Sequence, residues 1–168
     1  MLKLGIIGTG AISHHFIDAA HTSQEFQLVA VYSRKLTTAQ QFASSYTDVS
    51  LFDNLEDFFQ SEFDVVYIAS PNSLHFTQAK AALSAGKHVI LEKPAVTQPQ
   101  EWQDLVEIAQ ENQCFIFEAA RNYHEDAFAT IKDFLADKQV SGADFNYAKY
   151  SSKMPDLLSG KTPNVFSD

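Results

Sequence analysis

The chain has 168 residues, 45% of them hydrophobic and 20% charged, which suits a soluble globular fold with a real core. Its 21 acidic residues outnumber 12 basic ones, and the formal net charge of −9 argues against nucleic acid or an anionic membrane as partner. The single cysteine, Cys114, excludes an intramolecular disulfide and has no metal-ligand spacing around it, so no metal site is expected. No apolar run approaches a membrane span, and the N-terminus enters the first strand without a signal-peptide pattern, so the expected location is cytoplasmic.

The apolar run Leu4 to Ile7 fits a buried strand and stops at Gly8. Gly8, Thr9 and Gly10 form a glycine turn, and Ile12, Phe16, Ala19 and Ala20 then share one face of a helix. Leu28 to Tyr32 is the second strand. Thr37 or Thr38 caps the next helix, faced by Ala39, Phe42, Ala43 and Tyr46. A short strand at Val49 to Phe52 precedes a brief helix capped by Asn54, with Leu55, Phe58 and Phe59 inward. Val65 to Ala69 is the fourth strand, ended by Pro71. Ser73 can cap the helix of Phe76, Ala79, Ala82 and Leu83, which Gly86 stops. His88 to Leu91 is a fifth strand, Pro99 opens a helix faced by Trp102, Leu105, Val106 and Ala109, and Cys114 to Phe117 is the sixth strand.

This alternation predicts an α/β fold: a doubly wound parallel sheet over 1–119 whose apolar strands are covered on both faces. Over 120–168 the pattern changes. A helix around Tyr123 to Asp137, with Phe128, Ile131 and Leu135 inward, leads to an alternating strand at Ala143 to Tyr150. One helix and one strand do not close a domain, so this part reads as the beginning of a truncated α+β domain.

Ligands of such sheets bind beyond the carboxyl ends of the strands, and the chemically informative residues gather at those ends. Gly8 permits the tight turn, Gly10 lets a diphosphate approach the backbone, and the amides of Ala11 and Ile12 open a helix whose dipole favours the anion. Ser13 stands where a third glycine is usual. After the second strand come Ser33, Arg34 and Lys35. The absence of an acid and the presence of two cations favour NADP over NAD, and the missing acid counts against an S-adenosylmethionine methyltransferase, which would also hold a ribose at this edge. Ser70, Pro71 and Asn72 follow the fourth strand, and Asn72 can reach the nicotinamide end. His75 is either a contact or a polar face residue. Glu92, Lys93 and Pro94 follow the fifth strand, with Lys93 placed to bind a substrate hydroxyl and assist its proton loss.

Gly8-Thr9-Gly10, the run Ser70-Pro71-Asn72-Ser73-Leu74-His75, and Glu92-Lys93-Pro94 together resemble the glucose–fructose oxidoreductase / inositol dehydrogenase (Gfo/Idh/MocA) family of NAD(P)-dependent oxidoreductases. The resemblance covers the N-terminal part and implies a Rossmann domain binding NADP or NAD. It implies that Lys93 helps bind substrate and relay its proton, that Pro71 and Asn72 line the nicotinamide pocket, and that Arg121 contacts cofactor at the domain junction. It also implies a second domain that covers the active site, supplies an aspartate and a histidine, and pairs copies through its sheet. The chain reaches Asp168 without that motif, so the expectation is an N-terminal fragment lacking part of the active site. The expected activity is hydride transfer between the cofactor and a sugar, polyol or related hydroxyl or carbonyl compound. A non-catalytic dinucleotide sensor on the same fold is the alternative.

Overall fold

The computed structural model describes residues 1–146, 148, 150 and 154–160. They divide into two compact units, the first covering Met1–Ala119 and the second beginning at Ala120.

The first unit is a six-stranded, wholly parallel sheet. Strands β1 (Leu2–Ile7), β2 (Phe26–Tyr32), β3 (Ser50–Phe52), β4 (Val65–Ile68), β5 (His88–Leu91) and β6 (Ile116–Glu118) lie in the order β3-β2-β1-β4-β5-β6. Strand order therefore reverses at the β1/β4 pair, where Ile7 stands opposite Ile68. Helices α1 (Ala11–Ser23), α2 (Leu36–Ala43), α3 (Leu55–Gln60), α4 (His75–Ser84) and α5 (Pro99–Glu111) connect the strands. The alternation of side chains along β1 divides the core between the two faces. Leu4 and Ile6 join Ile17, Phe42 and Tyr67 under α1 and α2, whereas Ile7 joins Phe58, Leu83 and Leu105 under α3, α4 and α5. Each of these residues is removed from water, which drives the layered arrangement.

Local signals explain most boundaries. Asn54 Oδ1 accepts from the amides of Glu56 (2.8 Å) and Asp57 (3.2 Å), as expected of the cap of α3. Gly86 adopts φ 74° and its amide donates to Leu83 O, closing α4. Pro99 opens α5, and Glu101 reaches back to the Gln98 amide (3.2 Å).

Several expectations are corrected. In α1 the buried stripe is Ser13, Ile17 and Ala20, and Ile12 is exposed. Helix α2 starts at Leu36 with Lys35 as its uncapped N-terminal residue, so neither Thr37 nor Thr38 caps it. Ser73 does not cap α4; Asn72–Leu74 form a 3-10 turn, and α4 follows directly at His75. β6 is shifted to Ile116–Glu118 and has an open face, with Phe115 64% and Phe117 58% exposed. Among the described residues it is an edge strand, paired with β5 alone.

The second unit holds a 3-10 turn at Arg121–His124, helix α6 (Asp126–Leu135) and a short helix α7 (Met154–Leu158). Ile131 is 55% exposed and Leu135 is exposed too, so the apolar stripe of α6 is not buried inward as expected. Among the described residues, 143–146, 148 and 150 form no strand. Tyr147 and Lys149, part of that expected strand, lie outside the described residues.

Candidate functional site

Where strand order reverses, the segments leaving β1, β2 and β4 diverge and leave a crevice of about 410 Å³. Gly8 and Thr9 form one wall and Ser33, Arg34, Lys35 and Thr38 a second. Ala69, Ser70 and Pro71, with Leu74 and Gln78 of α4, form the third. Among the described residues no carboxylate lines it.

Gly8 is required by the protein itself. Its φ is +105°, and a Cβ there would lie 2.4 Å from Ala69 O and 2.7 Å from Ala69 C. Gly10 is not required in that way. Its φ of −87° suits any residue, and a Cβ would meet nothing within 4 Å. Gly10 is also the N-cap of α1 without a capping side chain, and the first turn carries no acid. The amides opening this 13-residue helix, at Ala11 and Ile12, thus have neither a side-chain cap nor a local countercharge. That combination, bare backbone beside uncapped amides, fits an anionic diphosphate.

Ser13 of α1 is buried at 0% exposure, and its hydroxyl has no hydrogen-bond partner among the described residues. Arg34 and Lys35 are exposed at the rim, and neither makes an ion pair or side-chain hydrogen bond among the described residues. Two unpaired cations beside the Ser33 hydroxyl suit a phosphomonoester.

Glu92, Lys93 and Pro94 leave β5, next to β4, and do not line this crevice. The Glu92 carboxylate accepts from the Tyr67 hydroxyl (2.7 Å) and, less closely, from the Lys93 amide (3.2 Å). Tyr67 is buried and stacks on Phe16 with ring centroids 3.9 Å apart. Burial first, then the bond to Glu92 and the carboxylate's charge, push the Tyr67 phenol well above its usual range. The Lys93–Pro94 peptide is cis, the Ala95 amide donates to Glu118 Oε1 (2.9 Å), and the Lys93 ammonium is exposed without a partner among the described residues.

His75 is 1% exposed, so it is not on a polar face, and it is absent from the crevice lining. Nδ1 lies 3.0 Å from Pro94 O and Nε2 3.0 Å from Ser70 O. Arg121 belongs to the second unit, is exposed, and pairs with Glu125 at 2.9 Å. Sequence reasoning passed over Gln78, which lines the crevice, is buried, and accepts from Ser70 Oγ at 2.6 Å. Its signal was its spacing: Gln78 follows Leu74 by one helical turn, so both face the same side. Among the described residues no group of three or more His, Cys, Asp or Glu side chains could hold a metal, and no helix is long and apolar enough to cross a membrane.

The chain is 40% identical over 169 residues to the uncharacterized oxidoreductase YgjR of Escherichia coli, covering 99% of this chain and 52% of that protein. It is 35% identical over 168 residues to the NADP(+)-dependent scyllo-inositol 2-dehydrogenase IolU of Bacillus subtilis, covering 99% and 51%. The chain thus spans about half the length of these relatives. Among solved structures it superposes on KijD10, a 3-ketoreductase from Actinomadura kijaniata in complex with NADP and TDP-benzene, with TM-score 0.75 and 25% identity. That match covers 80% of this chain and 42% of the other. It also superposes on the WlbA dehydrogenase from Bordetella pertussis, in complex with NADH and UDP-GlcNAcA, with TM-score 0.74, 26% identity and the same coverage. The model of the oxidoreductase family with an NAD-binding Rossmann fold matches residues 2–120, and the chain belongs to this Gfo/Idh/MocA family.

Proposed function

We propose that this chain is the dinucleotide-binding part of an NADP-preferring dehydrogenase or reductase acting on a sugar, a polyol or a related hydroxyl or carbonyl compound. The observation that carries the reading is the crevice at the β1/β4 switch point, where Gly8 and Thr9, directly before the bare backbone of Gly10 and the uncapped amides of α1, share the lining with Arg34 and Lys35. In this reading Gly8, Thr9 and Gly10, with the amides of Ala11 and Ile12, hold the diphosphate. Ser33, Arg34 and Lys35 hold the 2′-phosphate of the adenosine ribose. Ser70, Pro71 and Asn72 border the nicotinamide end.

When bound, the nicotinamide ring supplies the hydride acceptor, or donor, for the substrate's carbinol or carbonyl carbon. Lys93 hydrogen-bonds the substrate oxygen: as the neutral amine it takes the hydroxyl proton when hydride leaves the carbinol, and as the ammonium it returns that proton when the carbonyl is reduced. Glu92 accepts from the Tyr67 hydroxyl and the Lys93 amide, and among the described residues it makes no ion pair with the Lys93 ammonium. In this reading the second unit begins the domain that, in the complete protein, covers the substrate and supplies the remaining acid–base group; Arg121 contacts the cofactor, and copies pair through that domain's sheet. A cytoplasmic location accords with the one unpaired cysteine.

The complete protein, titrated with NADPH and NADH by nicotinamide fluorescence and assayed with a panel of inositols, sugars and keto-sugars, tests this reading. Tighter binding of NADPH and oxidation or reduction of at least one compound are expected. NADH binding as tightly as NADPH refutes the 2′-phosphate assignment. Binding without any turnover favours the second reading, a dinucleotide sensor, which the separation of Lys93 from the crevice lining allows.

A further inference from the structure

The segment Glu92 to Ala95 is fastened to its surroundings at almost every residue. Glu92 takes the Tyr67 hydroxyl, Ala95 donates to Glu118, and the Pro94 carbonyl stands 3.0 Å from His75 Nδ1. The same imidazole, through Nε2, stands 3.0 Å from the carbonyl of Ser70, a residue of the crevice wall. One buried ring therefore bridges the segment after β4 to the segment after β5. A carbonyl only accepts, so each contact needs a hydrogen on the nitrogen facing it. A ring with one hydrogen holds one segment, and a ring with both holds the two. With the ring 1% exposed, water cannot replace either bond without opening the packing.

We propose that His75 is a positioning residue that fixes the separation between the cofactor-binding wall at Ser70 and the backbone carrying Lys93, with one ring nitrogen assigned to each. This rests on the proposed roles of Ser70 and Lys93, and adds a device that couples them. His75 touches neither cofactor nor substrate; it acts through two backbone carbonyls. The assignment of nitrogens makes it separable. The amide nitrogen of asparagine takes the place of Nδ1, and that of glutamine the place of Nε2. His75→Asn thus keeps the bond to Pro94 and drops the one to Ser70, and His75→Gln does the reverse.

The test measures both variants in the complete protein, after near-ultraviolet circular dichroism has shown native packing. The readouts are NADPH titration, kcat on a compound that the unmodified protein turns over, and backbone amide exchange. His75→Gln is expected to bind NADPH within about twofold of the unmodified protein but to lose about tenfold in kcat, the worth of one buried hydrogen bond. His75→Asn is expected to weaken NADPH by about tenfold with kcat at saturation within about twofold. Exchange should accelerate at 92–95 in His75→Gln and at 70–72 in His75→Asn. If no compound is turned over, the proposed reaction fails on its own, and exchange together with NADPH titration still decides the coupling. Loosening of both segments in both variants, or of neither, overturns the proposal, as does failure of either amide variant to pack natively.

Discussion

Gly8 and Gly10 differ in what an added methyl group would meet, and that difference predicts opposite effects for two alanine substitutions. At Gly8 the φ of +105° disfavours any L side chain, and the new Cβ would stand 2.4 Å from Ala69 O. The atoms struck are backbone atoms of the segment leaving β4, so nothing flexible can swing aside. Backbone strain and forced overpacking together cost about 2–6 kcal/mol. This is a large share of the ~5–15 kcal/mol that holds a typical domain folded. At Gly10 the backbone is ordinary and the added group meets no protein atom within 4 Å, so stability should shift by less than about 0.5 kcal/mol. Its cost falls on the ligand, because the methyl group holds the diphosphate away from the backbone. Urea unfolding and NADPH titration of both variants separate the effects. Gly8→Ala should unfold at clearly lower urea; Gly10→Ala should unfold at the unmodified midpoint and bind NADPH at least about tenfold more weakly. Equal destabilisation by the two, or unchanged NADPH affinity in Gly10→Ala, refutes the reasoning.

Replacing Arg34 and Lys35 together by alanine should raise the NADPH dissociation constant by about 10–100-fold and leave NADH nearly unchanged, measured by fluorescence titration. Lys93→Ala should lower kcat by about 100-fold or more while NADPH affinity stays within about twofold; unchanged turnover removes Lys93 from the chemistry. Tyr67 carries a pH prediction. Its phenol is raised in the folded state, first by burial and then by Glu92, so above pH ~10 the unfolded chain loses this proton while the folded one keeps it. Stability therefore falls with rising pH in that range, by up to about 1.4 kcal/mol per pH unit from this group, and urea midpoints of Tyr67→Phe should show a shallower alkaline slope.

Much of the first unit was legible because its signals are local. The first five apolar strands, the Asn54 cap, Gly86 and Pro99 each act within a few residues, and each appears within two residues of the expected place. The misreadings come from long-range packing. Hydrophobicity pointed to Ile12 as the inward residue of α1, but Ile12 is exposed and the buried stripe is Ser13, Ile17 and Ala20. Phe115 and Phe117 read as core because the pattern does not reveal that β6 lies at the sheet edge. The alternation over 143–150 marks a segment able to pair, yet pairing needs a second strand that the described residues do not provide. At the site, the glycine turn and the cations were visible as motifs. The link from His75 to Ser70 and Pro94 was not, because a buried histidine bonded to two carbonyls has the same sequence signature as an exposed one.

Amide hydrogen exchange with and without saturating NADPH tests the central claim most directly, because it locates the ligand on the chain. Binding in the crevice predicts slower exchange at 8–13, 33–35 and 69–72, with the open strand at 115–118 unaffected. Saturable NADPH binding that leaves the amides of 8–13 unprotected would contradict the account.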